Sequence, residues 1–254
     1  MSAAGPHPDW LVPELDVPGV RAVMTSRAGG VSAAPYDSLN LGIAVDDDPL
    51  AVAANRARLA QAVGGARPVY LKQVHGARVV TLNAGDADHP PQEADASLTT
   101  EPGVACLVQV ADCLPVLLAA PAARGVAAAH AGWRGLAGGV VDHTVAALCE
   151  AAACSAGELS AWLGPCIGPR RFEVGADVVD AFGTAARHRF FPRPDAPGKW
   201  LADLAGLARD RLAALGVIRI KGGRWCTVED ASRFFSFRRD RVTGRMAGCI
   251  WIER

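Results

Sequence analysis

Three residues of this sequence combine metal-binding side chains with positions that would present them. Residues 126–135 read VAAAHAGWRG, a run of small apolar residues that delivers His130 to a glycine-flanked corner holding Trp133 and Arg134. Residues 69–76, VYLKQVHG, are a β-branched and aromatic run ending in His75, and residues 104–118, VACLVQVADCLPVLL, carry Cys113 at a polar break between two apolar runs. Such runs predict strands with polar groups at their tips. Two imidazoles and one thiolate would leave a zinc ion with an open fourth position, the arrangement of reactive rather than structural sites. Water in such a position ionises near a pH of roughly 7. Ligands this far apart in sequence require the fold to form first and the ion to bind second.

Other ligand sets compete with an open zinc site. Cys166, in the turn GPCIGP, could be a fourth ligand that closes it, and Met24 or Met246 could complete a blue-copper centre. The H-x-E and P-C-x-x-C signature of zinc nucleobase deaminases is absent. Asp112, beside Cys113, could orient an imidazole, carry a proton or merely close a turn.

The elements that must position these groups alternate in type along the chain. A short strand from Val20 leads into a loop rich in Gly, Ser, Asn and Pro through Gly42, with Arg27 and Asn40 as its notable polar residues. Asp48 and Pro49 suit a helix cap and first turn, with Leu50, Ala53, Ala57 and Ala60 as the expected apolar stripe and Gly64-Gly65 as the stop. Alternation in residues 104–110 predicts a half-buried strand, and Pro115 forbids an unbroken central ladder there. Val140, Val141, Thr144, Val145 and Leu148 mark an amphipathic helix, Asp203 to Leu215 a second, and residues 246–252 a terminal strand. His143 lies in the first of these helices as a surface or packing residue. No repeat or linker divides residues 1–254, which read as one domain.

Composition narrows the function. Lys plus Arg and Asp plus Glu balance at 26 each, so no basic surplus drives binding to nucleic acid. The amino terminus lacks a basic and apolar leader, and no apolar run suits a membrane helix, so a soluble, cytoplasmic protein is expected. Seven scattered cysteines without a C-x-x-C pair argue against a disulfide framework.

Taken together, several segments resemble a known family. SRAGGVS with SLNLG, Asn55-Arg56, KQVHG, ADCLPVLL, HAGWRG, GPCIG with FEVG, and FFSFRRD with TGRM follow the order of the polyphenol oxidase or laccase-domain family, from about Arg21 onward. That family includes purine nucleoside phosphorylases and a peptidoglycan editing factor. The resemblance implies a single mixed α/β domain, its mixed β-sheets flanked by helices, with His75, Cys113 and His130 holding zinc in a surface cleft. It also implies phosphorolysis of adenosine, inosine, guanosine or methylthioadenosine, and deamination of adenosine. The older label implies copper-dependent oxidation of phenols, and the editing members imply hydrolysis of cell-wall precursors carrying L-serine.

The expected partners are a small nucleoside and phosphate, and the expected assembly is a monomer or weak dimer. Phosphorolysis would call on cations from Arg27, Lys72, Arg134, Arg238 and Arg239. Asn40 could bind a purine edge or a ribose hydroxyl, and Asp112 or Glu173 could supply the acid.

Overall fold

Strands buried on both faces decide the architecture. The computed structural model describes residues 5–254; the reading of the amino terminus falls in part on residues 1–4, outside the described residues. One sheet has the order β1 (Val20–Met24), β13 (Met246–Ile252), β5 (Val104–Val110), β2 (Arg67–Val69). A six-stranded sheet has the order β12 (Arg219–Gly222), β8 (Ser160–Leu163), β6 (Leu114–Ala119), β7 (Val126–Ala131), β4 (Ala96–Thr99), β3 (Val79–Thr81). A small third sheet joins β10 (Phe190–Pro192), β11 (Trp200–Ala202) and β9 (Glu173–Val174).

Alternate residues of these strands serve three buried clusters, one between the two large sheets and one on the outer side of each. Cys106, Val108 and Val110 of β5 and Met246 and Ile250 of β13 meet Leu117 and Ala119 of β6 and Val126 and Ala128 of β7 between the two large sheets. The opposite side of the first sheet, with Leu107 and Cys249, packs on Leu39, Leu41 and Leu59. The opposite side of the six-stranded sheet, with Leu118 and Ala129, packs under α3 (Val140–Ala151) and α5 (Leu204–Ala214). The chain is thus one mixed α+β domain in which two sheets lie face to face and helices cover their outer sides. The expected half-burial of β5 is corrected: only Gln109 among its residues is not buried. Burying both faces, at about 1.5–3 kcal/mol for each large apolar side chain, explains why these strands read as nearly unbroken apolar runs.

Helix α3 buries Val140, Val141, Thr144, Val145 and Leu148, the stripe read from its sequence. Helix α1 (Pro49–Ala62) is capped by Asp48, whose carboxylate accepts from the Leu50 amide, but its buried face is Val52, Asn55 and Leu59. Leu50 is 79% exposed, which corrects the expected stripe. The cause is polar: Asn55 accepts from the Val31 amide and donates to Ser32 Oγ, Ser38 O and Asn40 O, so the helix turns this residue inward to hold the loop before it. Two short helices, α2 (Trp133–Ala137) and α6 (Phe237–Asp240), follow site-bearing segments, and α4 (Ala176–Phe182) follows β9. Among the described residues, no helix is long and apolar enough to cross a membrane.

Candidate metal centre and its cavity

The site forms where the chain changes sheets. Strand β5 ends at Val110 in the first sheet, β6 begins at Leu114 in the second, and residues 111–113 make the crossing. Pro115 sits near the end of the ladder, opposite His130, and β6 pairs with β8 only from Val116 onward. On β7, His130 shares the inter-sheet side with Val126 and Ala128, because side chains alternate along a strand. The third residue departs from expectation. Strand β2 ends at Val69, so His75 lies in a loop, with φ 60, and not at a strand tip.

One carboxylate accounts for that loop. Asp95, with no exposed surface, accepts hydrogen bonds from the amides of Val74 (3.1 Å), His75 (2.9 Å) and Gly76 (2.7 Å). Its Oδ1 also lies 2.8 Å from His130 Nδ1, and its backbone oxygen accepts from the His130 amide at 2.7 Å. With Nδ1 donating to Asp95, the lone pair of a neutral His130 ring sits on Nε2, the nitrogen left for an ion. Gln73 anchors the same loop by pairing its side-chain amide with the backbone of Gln109.

His75, Cys113 and His130 offer ligand atoms that all lie within 4.8 Å of one another. The two imidazoles meet nearly edge to face, with centroids 4.9 Å apart. A Cβ added at Gly132 would stand 2.8 Å from Cys113 Sγ and 3.3 Å from His75 Cδ2, so the glycine keeps open the space that converging ligands require. Burial pushes the Cys113 thiol up, but the imidazoles of His130 and His75 outweigh it and bring the thiol down to about 6. For His130, burial favours the neutral ring, yet the Cys113 thiolate and Asp95 raise it to about 9. Two nitrogens and a readily ionised sulfur fit zinc or another borderline ion. Cys166 does not join the group: its thiol faces the carbonyl of Ile167. Met24 and Met246 are fully buried and do not line the site, so neither supplies a copper ligand there.

All three residues open into a cavity of about 740 Å³. Its wall also holds Tyr70, Trp133, Phe172 and Phe237, and the cations Arg56, Lys72, Arg134, Arg238 and Arg245. Of the polar residues singled out from sequence, Lys72, Asp112, Arg134 and Arg238 reach this cavity. Lys72 pairs with Glu93 at 3.2 Å, and the Arg134 guanidinium lies 4.3 Å from the Trp133 ring centre.

Arg27, Asn40, Arg239 and Glu173 are engaged elsewhere. Arg27 ties Asp37 to the backbone of Ala231 and stacks on Phe235. Asn40 is buried with its amide spent on Gly42, Asp47 and the Arg245 backbone. Arg239 binds the carbonyls of Thr227 and Phe234 and the carboxylate of Asp240. Its neighbour Arg238 lines the cavity instead, while Glu173 is paired with Arg193 outside it. Asp112 lines the cavity but orients no imidazole; its two oxygens accept from Thr227 Oγ1 and the Arg238 amide, at 2.5 and 2.6 Å.

Sequence reasoning missed three residues. Asp95 sits in Ala-Asp-Ala, with no periodic signal around it. Arg56 and Arg245 were visible only as parts of the Asn55-Arg56 pair and the TGRM segment, without an assigned role.

Residues 21–253 match the family model described as multi-copper polyphenol oxidoreductase laccase. The chain is 50% identical over 248 residues to a Pseudomonas aeruginosa protein named purine nucleoside phosphorylase PA4543, covering 96% of this chain and 98% of that one. It is 47% identical to Escherichia coli purine nucleoside phosphorylase YfiH, with 96% and 97% covered. Among solved structures, the Neisseria meningitidis protein NMB0706 superposes with a TM-score of 0.90 at 46% identity, covering 97% of this chain and 100% of that one.

Proposed function

Since the chain belongs to the laccase-like polyphenol oxidoreductase family and its relatives carry the name purine nucleoside phosphorylase, we propose that it is a zinc-dependent purine nucleoside enzyme. Its reactions are phosphorolysis of adenosine, inosine, guanosine or methylthioadenosine and deamination of adenosine. One observation carries the reading: the His75, Cys113 and His130 group opens into a cavity that combines aromatic rings with five cations. Aromatic faces suit a purine base, and guanidinium groups suit phosphate.

In phosphorolysis a phosphate oxygen forms a bond to C1′ of the ribose as the bond from C1′ to the purine nitrogen breaks. The base leaves with the electron pair and takes up a proton. The cavity cations offset the charge of the incoming phosphate, while Tyr70, Trp133, Phe172 and Phe237 supply faces for the base. In deamination, water adds at C6 and ammonia leaves, so a group must carry protons between them. Asp112, fixed by Thr227 and the Arg238 amide beside Cys113, is assigned that proton. His75, Cys113 and His130 would hold the zinc, which when bound supplies a Lewis acid with an open position.

The test is product release from adenosine with and without phosphate. Adenine and ribose 1-phosphate formed only with phosphate support the phosphorylase, and inosine and ammonia formed without it support deamination. Oxygen uptake with a phenol, requiring copper and unaccompanied by nucleoside turnover, would overturn the reading.

A further inference from the structure

Of the five cavity cations, Lys72 alone has an acidic partner among the described residues, and of the other four only Arg56 and Arg245 are buried deeply enough for desolvation to lower their pKa. Arg56 projects from α1, donates Nε to the Leu41 carbonyl at 2.9 Å and lies 3.7 Å over the Tyr70 ring. Arg245 precedes β13 and donates Nη1 to the carbonyls of Thr243 and Gly244. Among the described residues, neither forms an ion pair, and the two terminal nitrogens of Arg56 and Nε and Nη2 of Arg245 have no protein acceptor. Lys72, by contrast, is committed to Glu93.

The segment Leu41-Gly42 brings the two together. Arg56 binds the Leu41 carbonyl, the Leu41 amide donates to the Arg245 carbonyl at 3.0 Å, and a Cβ on Gly42 would stand 2.7 Å from Arg245 Cγ. Both side chains line the cavity that holds the metal-binding group. Burial pulls both guanidinium pKa values down, and no carboxylate makes up the loss by a hydrogen bond to either. A half-buried cation with free donors is a costly arrangement unless an anion completes it.

We propose that Arg56 and Arg245 form the oxyanion subsite of this cavity and that its ligand is inorganic phosphate, held by the unpartnered guanidinium donors of both. Forked N–H donors match the tetrahedral oxygens of phosphate, and partial burial strengthens the interaction. The assignment rests on the phosphorylase reading for the choice of phosphate, and the subsite can be measured without turnover.

The experiment is phosphate titration of the purified full chain by calorimetry, comparing wild type with Arg56→Gln, Arg245→Gln and Lys199→Gln. Each arginine variant should weaken phosphate by about tenfold or more, because charge-assisted bonds are lost, and Lys199→Gln, at an exposed residue outside the cavity, should leave it unchanged. In wild type, phosphate should protect Arg56 and Arg245 from phenylglyoxal, read by peptide mass mapping, which needs no variant to fold. Unchanged phosphate affinity in folded arginine variants, or protection of other arginines only, would overturn the assignment. Phosphate binding through these residues without phosphate-dependent nucleoside cleavage would uphold the subsite while removing the phosphorylase reading.

Discussion

The two charged regions of the cavity are built on opposite terms. Around the metal-binding group every charge has an answer: Asp95 meets three amides and an imidazole, and Cys113 faces two imidazoles. Around Arg56 and Arg245 the charges are left open toward the cavity, anchored through backbone carbonyls and, for Arg56, the Tyr70 ring. A region that satisfies itself can be rigid before anything binds, whereas one that does not is completed by its ligand. Removing charge should therefore hurt the first region's own stability and hurt chiefly ligand binding in the second.

The largest break in that contrast should come from Asp95→Ala. It strands three amide donors and the His130 ring, costing about 3 kcal/mol or more in the metal-free protein, measurable by denaturant unfolding. Zinc affinity should fall by about 10–100-fold, since the group that orients the ligand is gone.

A pH titration sharpens the same point. With its pKa depressed to about 6, the Cys113 thiolate stabilises the metal-free fold at higher pH and loses that contribution as pH falls through about 6. With its pKa raised to about 9, the His130 imidazolium contributes at lower pH and loses its share as pH rises through about 9. The pair therefore supports the site between those limits. Thiolate absorbance in the ultraviolet should appear near pH 6 and be missing from Cys113→Ser, while burial keeps Cys106 near about 12.

Gly132→Ala is a smaller and purely steric probe. The extended backbone of Gly132, φ −65, accepts alanine, but the new methyl would intrude on Cys113 Sγ. Zinc affinity should drop by about tenfold while the metal-free form loses about 1–3 kcal/mol of stability. Smallest of all should be the stability effect of Arg245→Met, about 1 kcal/mol in either direction, because lost backbone bonds offset a relieved burial cost. Added phosphate should raise the melting temperature of wild type but not of this variant.

The contrast also explains what could be read ahead of the fold. Cys113, between two apolar runs, and His130, between an apolar run and a glycine corner, were visible because such runs declare strands and a polar residue at a strand end stands out. His75 was visible as a residue but misplaced, since its loop is shaped by Asp95, twenty positions downstream. No local pattern encodes a bond between Asp95 and three amides of another segment. Arg56 was hidden within a helix whose inward face is set by Asn55, a polar residue that an apolar-stripe search passes over. Arg27, Asn40 and Arg239 looked available because their partners, Ala231, Arg245 and Thr227 among them, come near only when the chain folds. The helices α3 and α5 and the strand β13 were legible nearly to the residue, α3 from its apolar stripe, α5 from its Asp203 and Gly216 boundaries, and β13 from an apolar run buried on both faces.

The most direct test of the account joins metal content to turnover in wild type and Cys113→Ala, using elemental analysis and phosphate-dependent release of adenine from adenosine. Wild type should hold stoichiometric zinc, and the variant should lose both the metal and the cleavage. A folded Cys113→Ala protein that keeps full phosphorolysis would contradict it.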